Sequence, residues 1–284
     1  MTRRRWSLRT VLRQPGPRAA PRTVTVEFLG LPASGKSTVA RLLLALLRAE
    51  GFVACNMTGG PEDFTVSSPS STAAEHRPKR SVVPRANIAH KVQLAYRHRF
   101  LMATTAGVLA RSSRGAQHRL FTIRRMLTTL GRWESVTHGS QRHDIAVFEE
   151  GLLQHAFLVF IDDRGRWDPR RLSRYLSVAV HADLVVHLTL PPAESLRRQL
   201  RRADSGSAEP VCISRRFRSL DGASLEAVLS SGAELLRAIV RRVNLDGVRQ
   251  VLSLEATKPP DALAEALGET VRIMLTQRDW NRDG

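Results

Sequence analysis

Cysteine, aromatic residues and long apolar runs are all scarce in this sequence of 284 residues. The two cysteines, Cys55 and Cys212, lie far apart and form neither a disulfide framework nor a metal-ligand spacing. No apolar run approaches the roughly 18 residues that cross a bilayer, and the N-terminus lacks the apolar stretch of a secretory signal. We therefore expect a cytoplasmic protein with two unpaired thiols and no membrane span.

Acidic residues are also in short supply, because 44 lysines and arginines face 26 acids and give a net charge of +18. Residues 1–22 hold seven of the arginines, three prolines and no acid, which predicts a flexible basic arm. A basic protein favours polyanionic partners such as nucleotides or phosphorylated substrates. Aromatic residues make up only 5% of the chain and no nucleic-acid-binding motif occurs, so nucleic acid is not an expected partner.

The sequence does show a regular alternation of short β-branched runs and longer helical patterns. Such alternation is typical of a parallel sheet with helices on both faces. We predict a three-layer α/β fold, the P-loop NTPase fold, with about five mostly parallel strands. The predicted strands cover residues 23–29, 52–57, 144–148, 184–190 and 248–254. The predicted helices cover 37–50, 87–110, 118–133, 152–160, a stretch opening at Asp168 and Pro169, 193–202, 214–243 and 260–274.

Two segments interrupt this alternation and suggest how the chain is organised. Residues 23–284 form one domain after the arm 1–22. Within it, a polar loop and two basic helices over residues 58–142 predict a helical insertion. An arginine-rich stretch over 193–218 predicts a lid.

The most specific motif is GLPASGKS, residues 30–37, which matches the P-loop pattern G-x-x-x-x-G-K-S/T between a predicted strand and a predicted helix. Its glycines let successive N–H groups point inward as an anion nest, and the helix aims its positive end at the same place. Lys36 would reach the β- and γ-phosphates and the Ser37 hydroxyl would bind Mg²⁺, so the expected ligand is Mg-ATP. The predicted nucleotide-binding residues are Gly30, Leu31, Pro32, Ala33, Ser34, Gly35, Lys36 and Ser37.

A pair of carboxylates, Glu149 and Glu150, follows the predicted strand at 144–148. Open α/β sheets bind ligands at the carboxyl ends of their strands, and nucleotide-bound Mg²⁺ needs a carboxylate there. One glutamate would hold the metal, for which we choose Glu149, and the other would accept a proton from the attacking hydroxyl. The sequence leaves open which does which. Gln154 and His155 come one turn later, where packing is a better prediction than substrate contact.

Arginines crowd the predicted lid. Arg197 with Arg201, and Arg198 with Arg202, form i,i+4 pairs of like charge that repel unless an anion lies between them. Guanidinium groups match phosphate geometry, so Arg197 and Arg201 are predicted to act in phosphoryl transfer. A solvated basic face is the alternative. The basic segment continues with Arg215, Arg216 and Arg218.

These segments resemble the nucleoside- and nucleotide-kinase branch of P-loop proteins, which includes thymidylate, adenylate, shikimate and deoxynucleoside kinases. The resemblance rests on FLGLPASGKSTVARLL (28–43), IAVFEEGLLQ (145–154) and ADLVVHLTLPPAESLRRQLRR (182–202), with VRQVLSL (248–254) as the last strand beside the adenine. It implies phosphoryl transfer from ATP to a small acceptor under an arginine-bearing lid. By residue, it implies phosphate binding for Gly30, Gly35, Lys36, Ser37 and Thr38, a metal or base role for Glu149 or Glu150, and lid arginines at Arg197, Arg198, Arg201 or Arg202.

The sequence departs from that branch around the acceptor. Glu-Glu-Gly stands where thymidylate and deoxynucleoside kinases have an Asp-Arg-Tyr or Glu-Arg-Ser triplet, and the preceding segment is longer. The elements expected to bind the acceptor are the 58–85 loop and the two basic helices after it. Their Arg and His content, including Arg97, Arg124 and Arg125, suggests an anionic acceptor.

Three other functions are weighed against a kinase. A GTPase would use the D-x-x-G match at Asp162, but this lies far beyond Lys36 and no N-K-x-D follows. A regulatory ATPase would need a sensor or arginine finger, which the sequence does not identify. A nucleic-acid binder would use the basic arm. The kinase is favoured over all three.

Overall fold

The computed structural model describes residues 23–58, 88–112, 115–138, 143–161, 165–204, 222–245 and 250–283. Several predictions lie outside these described residues and stay predictions. They concern the arm 1–22, the loop from residue 59 onward, Asp162, Cys212, and the lid arginines Arg215, Arg216 and Arg218.

The strands form one parallel sheet with the P-loop strand at its centre. They are β1 (Val24–Gly30), β2 (Ala54–Asn56), β3 (Ile145–Phe148), β4 (Leu184–Thr189) and β5 (Gln250–Glu255). Their order is β2-β3-β1-β4-β5, and every neighbouring pair is parallel. Because the chain crosses to either side of β1, the P-loop lies at the switch point where α/β sheets bind ligands.

Helices cover both faces of the sheet, which confirms the predicted three-layer α/β P-loop fold. α1 and α9 pack on one face, while α5 and α8 pack on the other. α2, α3 and α4 lie between β2 and β3 in the chain and pack against one another. The helices are α1 (Lys36–Ala49), α2 (Ile88–Arg97), α3 (Arg99–Ala110), α4 (Ala116–His138), α5 (Leu152–Phe160), α6 (Pro169–Leu176), α7 (Pro192–Asp204), α8 (Gly222–Leu245) and α9 (Pro260–Asp283).

Local sequence explains where these elements begin and end. All seven residues of β1 are buried, and successive side chains alternate between two cores, with Phe28 facing α1 and α9 and Leu29 facing the opposite layer. Gly51 follows the C-cap of α1, and its φ of 90° is the left-handed conformation that favours glycine after a helix. Asp168 caps α6 by accepting hydrogen bonds from the backbone N–H groups of Arg170 and Arg171.

The single helix predicted over residues 87–110 was wrong, because it is two helices that break at His98. His98 leaves helical geometry with φ −102° and ψ 34°, and its ring contacts Glu134 of α4 at 3.1 Å. Along these two helices Val92 is 62% exposed, whereas Leu94 and Leu101 are buried. Packing against α4 therefore buries Leu94 and leaves Val92 exposed.

The other testable boundaries shift by a few residues, apart from the last helix, which was predicted to end at residue 274 and continues to Asp283. The predicted starts at residues 214 and 248 lie outside the described residues. Cys55 is a free, buried thiol, and burial raises its pKa to about 12, so it behaves as a core residue. Across the described ranges, no helix combines the length and apolar character that a bilayer crossing requires.

Two helical glycines offer a matched test of the packing between α5 and α8. A Cβ added at Gly232 of α8 would lie 2.2 Å from a ring carbon of the fully buried Phe157, whereas one at Gly268 of α9 would meet only the flexible end of Arg272 at 3.6 Å. We expect Gly232→Ala to lower the free energy of unfolding by about 1–3 kcal/mol. Gly268→Ala should raise it by up to about 1 kcal/mol through helix propensity.

Urea unfolding of both variants beside the wild type checks this pair. Equal stability of the two variants would show that α5 and α8 do not pack as closely as the distance between Gly232 and Phe157 indicates.

Candidate functional site

Two residues of the P-loop have a left-handed backbone conformation. Ala33 and Gly35 have positive φ angles of 59° and 88°, and Gly35 is the N-cap of α1 without any side-chain cap. The first N–H groups of α1 are therefore left for a ligand, where the helix dipole favours an anion. A Cβ at Gly30 would lie 2.6 Å from Ser34 Oγ and 2.9 Å from the Leu188 carbonyl oxygen, so only glycine fits there.

Lys36 is folded back onto the loop. Its Nζ donates hydrogen bonds to the carbonyl oxygens of Gly30 at 2.8 Å and Leu31 at 2.9 Å. Burial lowers the pKa of this ammonium to about 8; the charge of Glu149 opposes the shift and that of Arg202 reinforces it. Both partners are neutral carbonyl oxygens, and an ionised phosphate would form stronger hydrogen bonds with this ammonium group.

The remaining predicted P-loop residues share the same small region. Ser34 is buried, and its hydroxyl has no hydrogen-bond partner among the described residues. Ser37 is exposed, and Thr38 lies beside it, half-buried, at the edge of a cavity. An orphan hydroxyl in a loop of this shape fits a ligand with hydrogen-bonding oxygens.

The two glutamates after β3 have different partners. Glu149 Oε1 accepts a hydrogen bond from Asn56 Nδ2 at the end of β2 at 2.6 Å, and its charge acts on Lys36. Glu150 forms a close ion pair with Arg125 of α4, and its backbone N–H donates to Thr58 Oγ1 at 3.2 Å. Glu149 is thus the carboxylate that faces the P-loop, while Glu150 is engaged with α4.

A third carboxyl group, Glu27, was missed by the sequence analysis. It is completely buried in β1 and lies under the first turn of α5, where its Oε1 accepts the N–H of Gln154 at 3.0 Å. The backbone N–H of Leu153 also bonds to it. The N-cap of α5 is Gly151, and a Cβ there would lie 2.2 Å from Glu27 Cδ. Glu27 therefore supplies the cap that Gly151 cannot, and Gly151 leaves the space for it.

Glu27 is held in an environment that disfavours its charge. Burial raises its pKa to about 8, although the two backbone hydrogen bonds oppose the shift. Its Oε2 has no hydrogen-bond partner within the described part of the chain. In the sequence, Glu27 could have been recognised as the one charged residue of a strand that is otherwise expected to be buried.

Gln154 and His155 are both buried, as packing residues would be, but Gln154 also touches the loop. Its Oε1 accepts a hydrogen bond from the N–H of Gly30 at 3.0 Å. His155 Nδ1 donates to the Gly151 carbonyl at 2.5 Å, and its Nε2 has no partner in the described structure. Burial and the nearby charges of Arg125 and Arg132 lower the His155 pKa to about 3, so the ring is neutral.

The arginines of α7, the helix in the predicted lid, have different partners. Arg197 is 51% exposed and forms two hydrogen bonds to Glu194, at 2.6 and 2.7 Å. Arg198 also contacts Glu194, yet its other nitrogens reach the carbonyl oxygens of Ala33 at 3.4 Å and Ala256 at 3.2 Å. Arg198 thus joins the P-loop to the turn after β5, whereas the predicted Arg197 lies outside this contact.

A cavity of about 250 Å³ lies between the P-loop, α7 and the start of α9. We call it the arginine cavity. All the charged side chains that line it are cationic, Ser34 and Thr38 add hydroxyl groups, and Leu263 and Val39 supply an apolar side. The cations that line it are Arg198, Arg201, Arg202 and Lys258.

The arginines predicted to bind the acceptor are not brought together. Arg97 pairs with Glu134 and Arg124 is exposed, while Arg125 pairs with Glu150 beside the site. Arg132, which the sequence analysis did not name, joins Arg125 there and donates to the Thr58 carbonyl at 3.4 Å. Burial, reinforced by the charge of Arg125, lowers the pKa of Arg132.

Comparison with known proteins adds little to this geometry. No protein-family model matches the chain, and no curated protein matches it in sequence. Among solved structures, the chain is similar to deoxyadenosine kinase from M. mycoides with bound dATP, with a TM-score of 0.45 and 10% identity over 88% of this chain and 99% of that one. A likeness this distant says nothing about what the chain binds, so the function has to be argued from the site.

Glu27→Gln tests the protonation of the buried carboxyl. The folded state keeps a proton up to about pH 8 that the unfolded state releases near 4.5, so this group lowers stability as pH rises between those values. The slope is at most about 1.4 kcal/mol per pH unit. We therefore expect Glu27→Gln to gain stability over the wild type as pH rises, and the difference to level off above pH 8.

Urea unfolding of both proteins across this pH range measures the difference, in which the contributions of the buried histidines cancel. If the two stability curves run parallel, Glu27 titrates at its ordinary pKa in the folded protein.

Proposed function

We propose that this protein is an ATP-dependent phosphotransferase that moves the γ-phosphoryl group of Mg-ATP to a small acceptor. The observation that carries the proposal is the position of the P-loop between two different clusters. On one side lies the arginine cavity, and on the other lie Glu149, Glu150 and two arginines of α4. A nucleotide on the loop would thus have cations around its phosphates and carboxylates facing its reacting end.

The arginine cavity suits the nucleotide. Its apolar side at Val39 and Leu263 would take the base, and the backbone of the P-loop would take the phosphates. Lys36 would exchange its two carbonyl partners for phosphate oxygens. Arg198 already bridges Ala33 and Ala256, so it is placed to act on the phosphates with its neighbours Arg201 and Arg202.

Ser37 and Glu149 fit the metal, because a hydroxyl and a carboxylate are hard oxygen ligands and Mg²⁺ uses few protein ligands beside phosphates. Bound there, Mg²⁺ would neutralise charge that develops on the transferred group. Asn56 would hold the orientation of Glu149 through their 2.6 Å hydrogen bond. Of the two glutamates, we therefore assign the metal or base role to Glu149.

Glu150 would act on the acceptor side instead. Its ion pair fixes Arg125 next to Arg132, and Trp133 stacks on Phe148 with ring centroids 4.3 Å apart, just before the two glutamates. These contacts would place two guanidinium groups near the reacting end of the nucleotide. Such a pair favours an acceptor that carries an anionic group. Phosphoryl transfer needs mainly positioning and charge stabilisation, which this arrangement would provide.

Lys36→Ala tests the proposed reaction. We expect the mutant to lose roughly 10²–10³-fold of its acceptor-dependent ADP release, because a charge contact to the phosphates is removed. The assay uses Mg-ATP with and without a pooled panel of nucleosides, nucleoside monophosphates, sugars, aminoglycosides and other small alcohols. Arg41→Ala, an exposed residue on the same helix, is the control and should keep full activity.

Full activity of Lys36→Ala, with its fold intact by thermal unfolding, would refute the proposal. ADP release that ignores the panel but is lost in Lys36→Ala would favour the regulatory ATPase in place of a kinase.

Two adjacent arginines test the geometry of the lid. Arg198→Ala should weaken ATP binding about tenfold or more, since a charged hydrogen-bonding group beside the P-loop is lost. Arg197→Ala should have a small effect, because its guanidinium is occupied by Glu194 at the exposed surface. Calorimetric titration with ATP measures both without needing the acceptor. A larger effect for Arg197 would reverse the assignment and restore the one made from the sequence.

A further inference from the structure

A second cavity, of about 590 Å³, opens on the other side of the lid helix. It lies at the carboxyl ends of β4 and β5, on the face of the sheet that α8 covers, and Pro191 and Pro192 form part of its rim. It touches the P-loop only at Leu31 and shares no lining residue with the arginine cavity. Its size is that of a small-molecule site, and the transfer reaction proposed above does not use it.

His187 lines this second cavity. It lies near the end of β4, is 6% exposed, and has no hydrogen bond within the described ranges. Burial lowers its pKa to about 4, and the charges of Arg237 and Lys36 act in the same direction, so the ring is neutral at neutral pH. One ring nitrogen is then a donor and the other an acceptor. A ligand in the cavity would supply the hydrogen-bond partner that this imidazole lacks among the described residues.

The rim carries charges of both signs. Glu234 and Arg237 project from α8, and Glu255 ends β5. None of these three side chains forms an ion pair in the described part of the structure, although each is exposed at the cavity. Thr189 and Thr257 add hydroxyl groups.

The balance of charge separates this cavity from the arginine cavity. One guanidinium and two carboxylates leave the second cavity with a net charge of −1 when His187 is neutral, so it suits a polyanion less well than the arginine cavity does. The carboxylates are strong hydrogen-bond acceptors and the guanidinium is a strong donor, whereas the hydroxyl and imidazole groups can both donate and accept. The floor is apolar, with Leu31, Leu188 and Leu236 buried there.

We propose that the second cavity binds a neutral or singly cationic polyhydroxylated molecule, namely a sugar or an amino sugar. Hydroxyl groups both donate and accept, so they satisfy carboxylates, guanidinium and imidazole at once, while the C–H face of the ring covers the leucines. An amino group would offset the net negative charge. The site is distinct from the nucleotide site and accepts its ligand whether or not nucleotide is bound.

Calorimetric titration of the full chain tests this site, with glucose, galactose, mannose and their 2-amino counterparts added singly, in the absence and presence of saturating Mg-ADP. We expect at least one of these to bind under both conditions. Its affinity should fall at least tenfold in Glu234→Ala and in Arg237→Ala, whose exposed positions leave the fold intact. The control Arg241→Ala lies one turn further along α8, outside the cavity, and should bind like the wild type.

Binding of the amino sugars alone would point to Glu234 and Glu255 as partners of the ammonium group, and binding of both series would point to the shared hydroxyls; either supports the proposal. Three results would overturn it: no binding by any member at millimolar concentration, affinity unchanged in both cavity variants, or competition by Mg-ADP. Lys36→Ala separates this inference from the proposed transfer reaction, since it should abolish transfer and leave sugar binding unchanged.

Discussion

The contact between Glu27 and the first turn of α5 fixes the relation of the two segments on which the site depends. β1 carries the P-loop, and α5 follows directly from the turn that carries Glu149 and Glu150. The Glu27 carboxyl accepts the N–H groups of Leu153 and Gln154, and Gln154 in turn holds the N–H of Gly30. A strand, a helix and the first residue of the loop are therefore joined through one buried carboxyl group, at the cost of holding it largely uncharged.

Two positions near this contact, Gly151 and Gly30, need glycine for a steric reason. Gly151 gives its side-chain space to the carboxyl group, and Gly30 gives its own to Ser34 Oγ and the backbone of β4. The loop and the turn can then approach closely. Glu149 and Lys36 consequently lie near enough for the charge of one to raise the pKa of the other.

Much of the fold followed from the sequence, because strand and helix periodicity and the P-loop pattern are local signals. The five parallel strands and the helices on both faces were predicted, and Asp168 begins a helix as expected. The break at His98 was not, since it depends on contacts with Glu134 in another helix. Glu27 was missed for the same reason: a distant helix end determines what a strand residue does.

The arginines show most clearly why composition alone could not locate a ligand. A net charge of +18 attracts polyanions everywhere, but acids beside particular arginines decide which cations are available. Glu194 pairs with Arg197 and leaves part of Arg198 directed at the P-loop. Glu150 pairs with Arg125, and Glu134 pairs with Arg97. The few acidic residues of this basic chain thus determine which of its cationic groups are available to an anion. These pairings are set by tertiary structure, which the helical spacing of like charges in a sequence does not reveal.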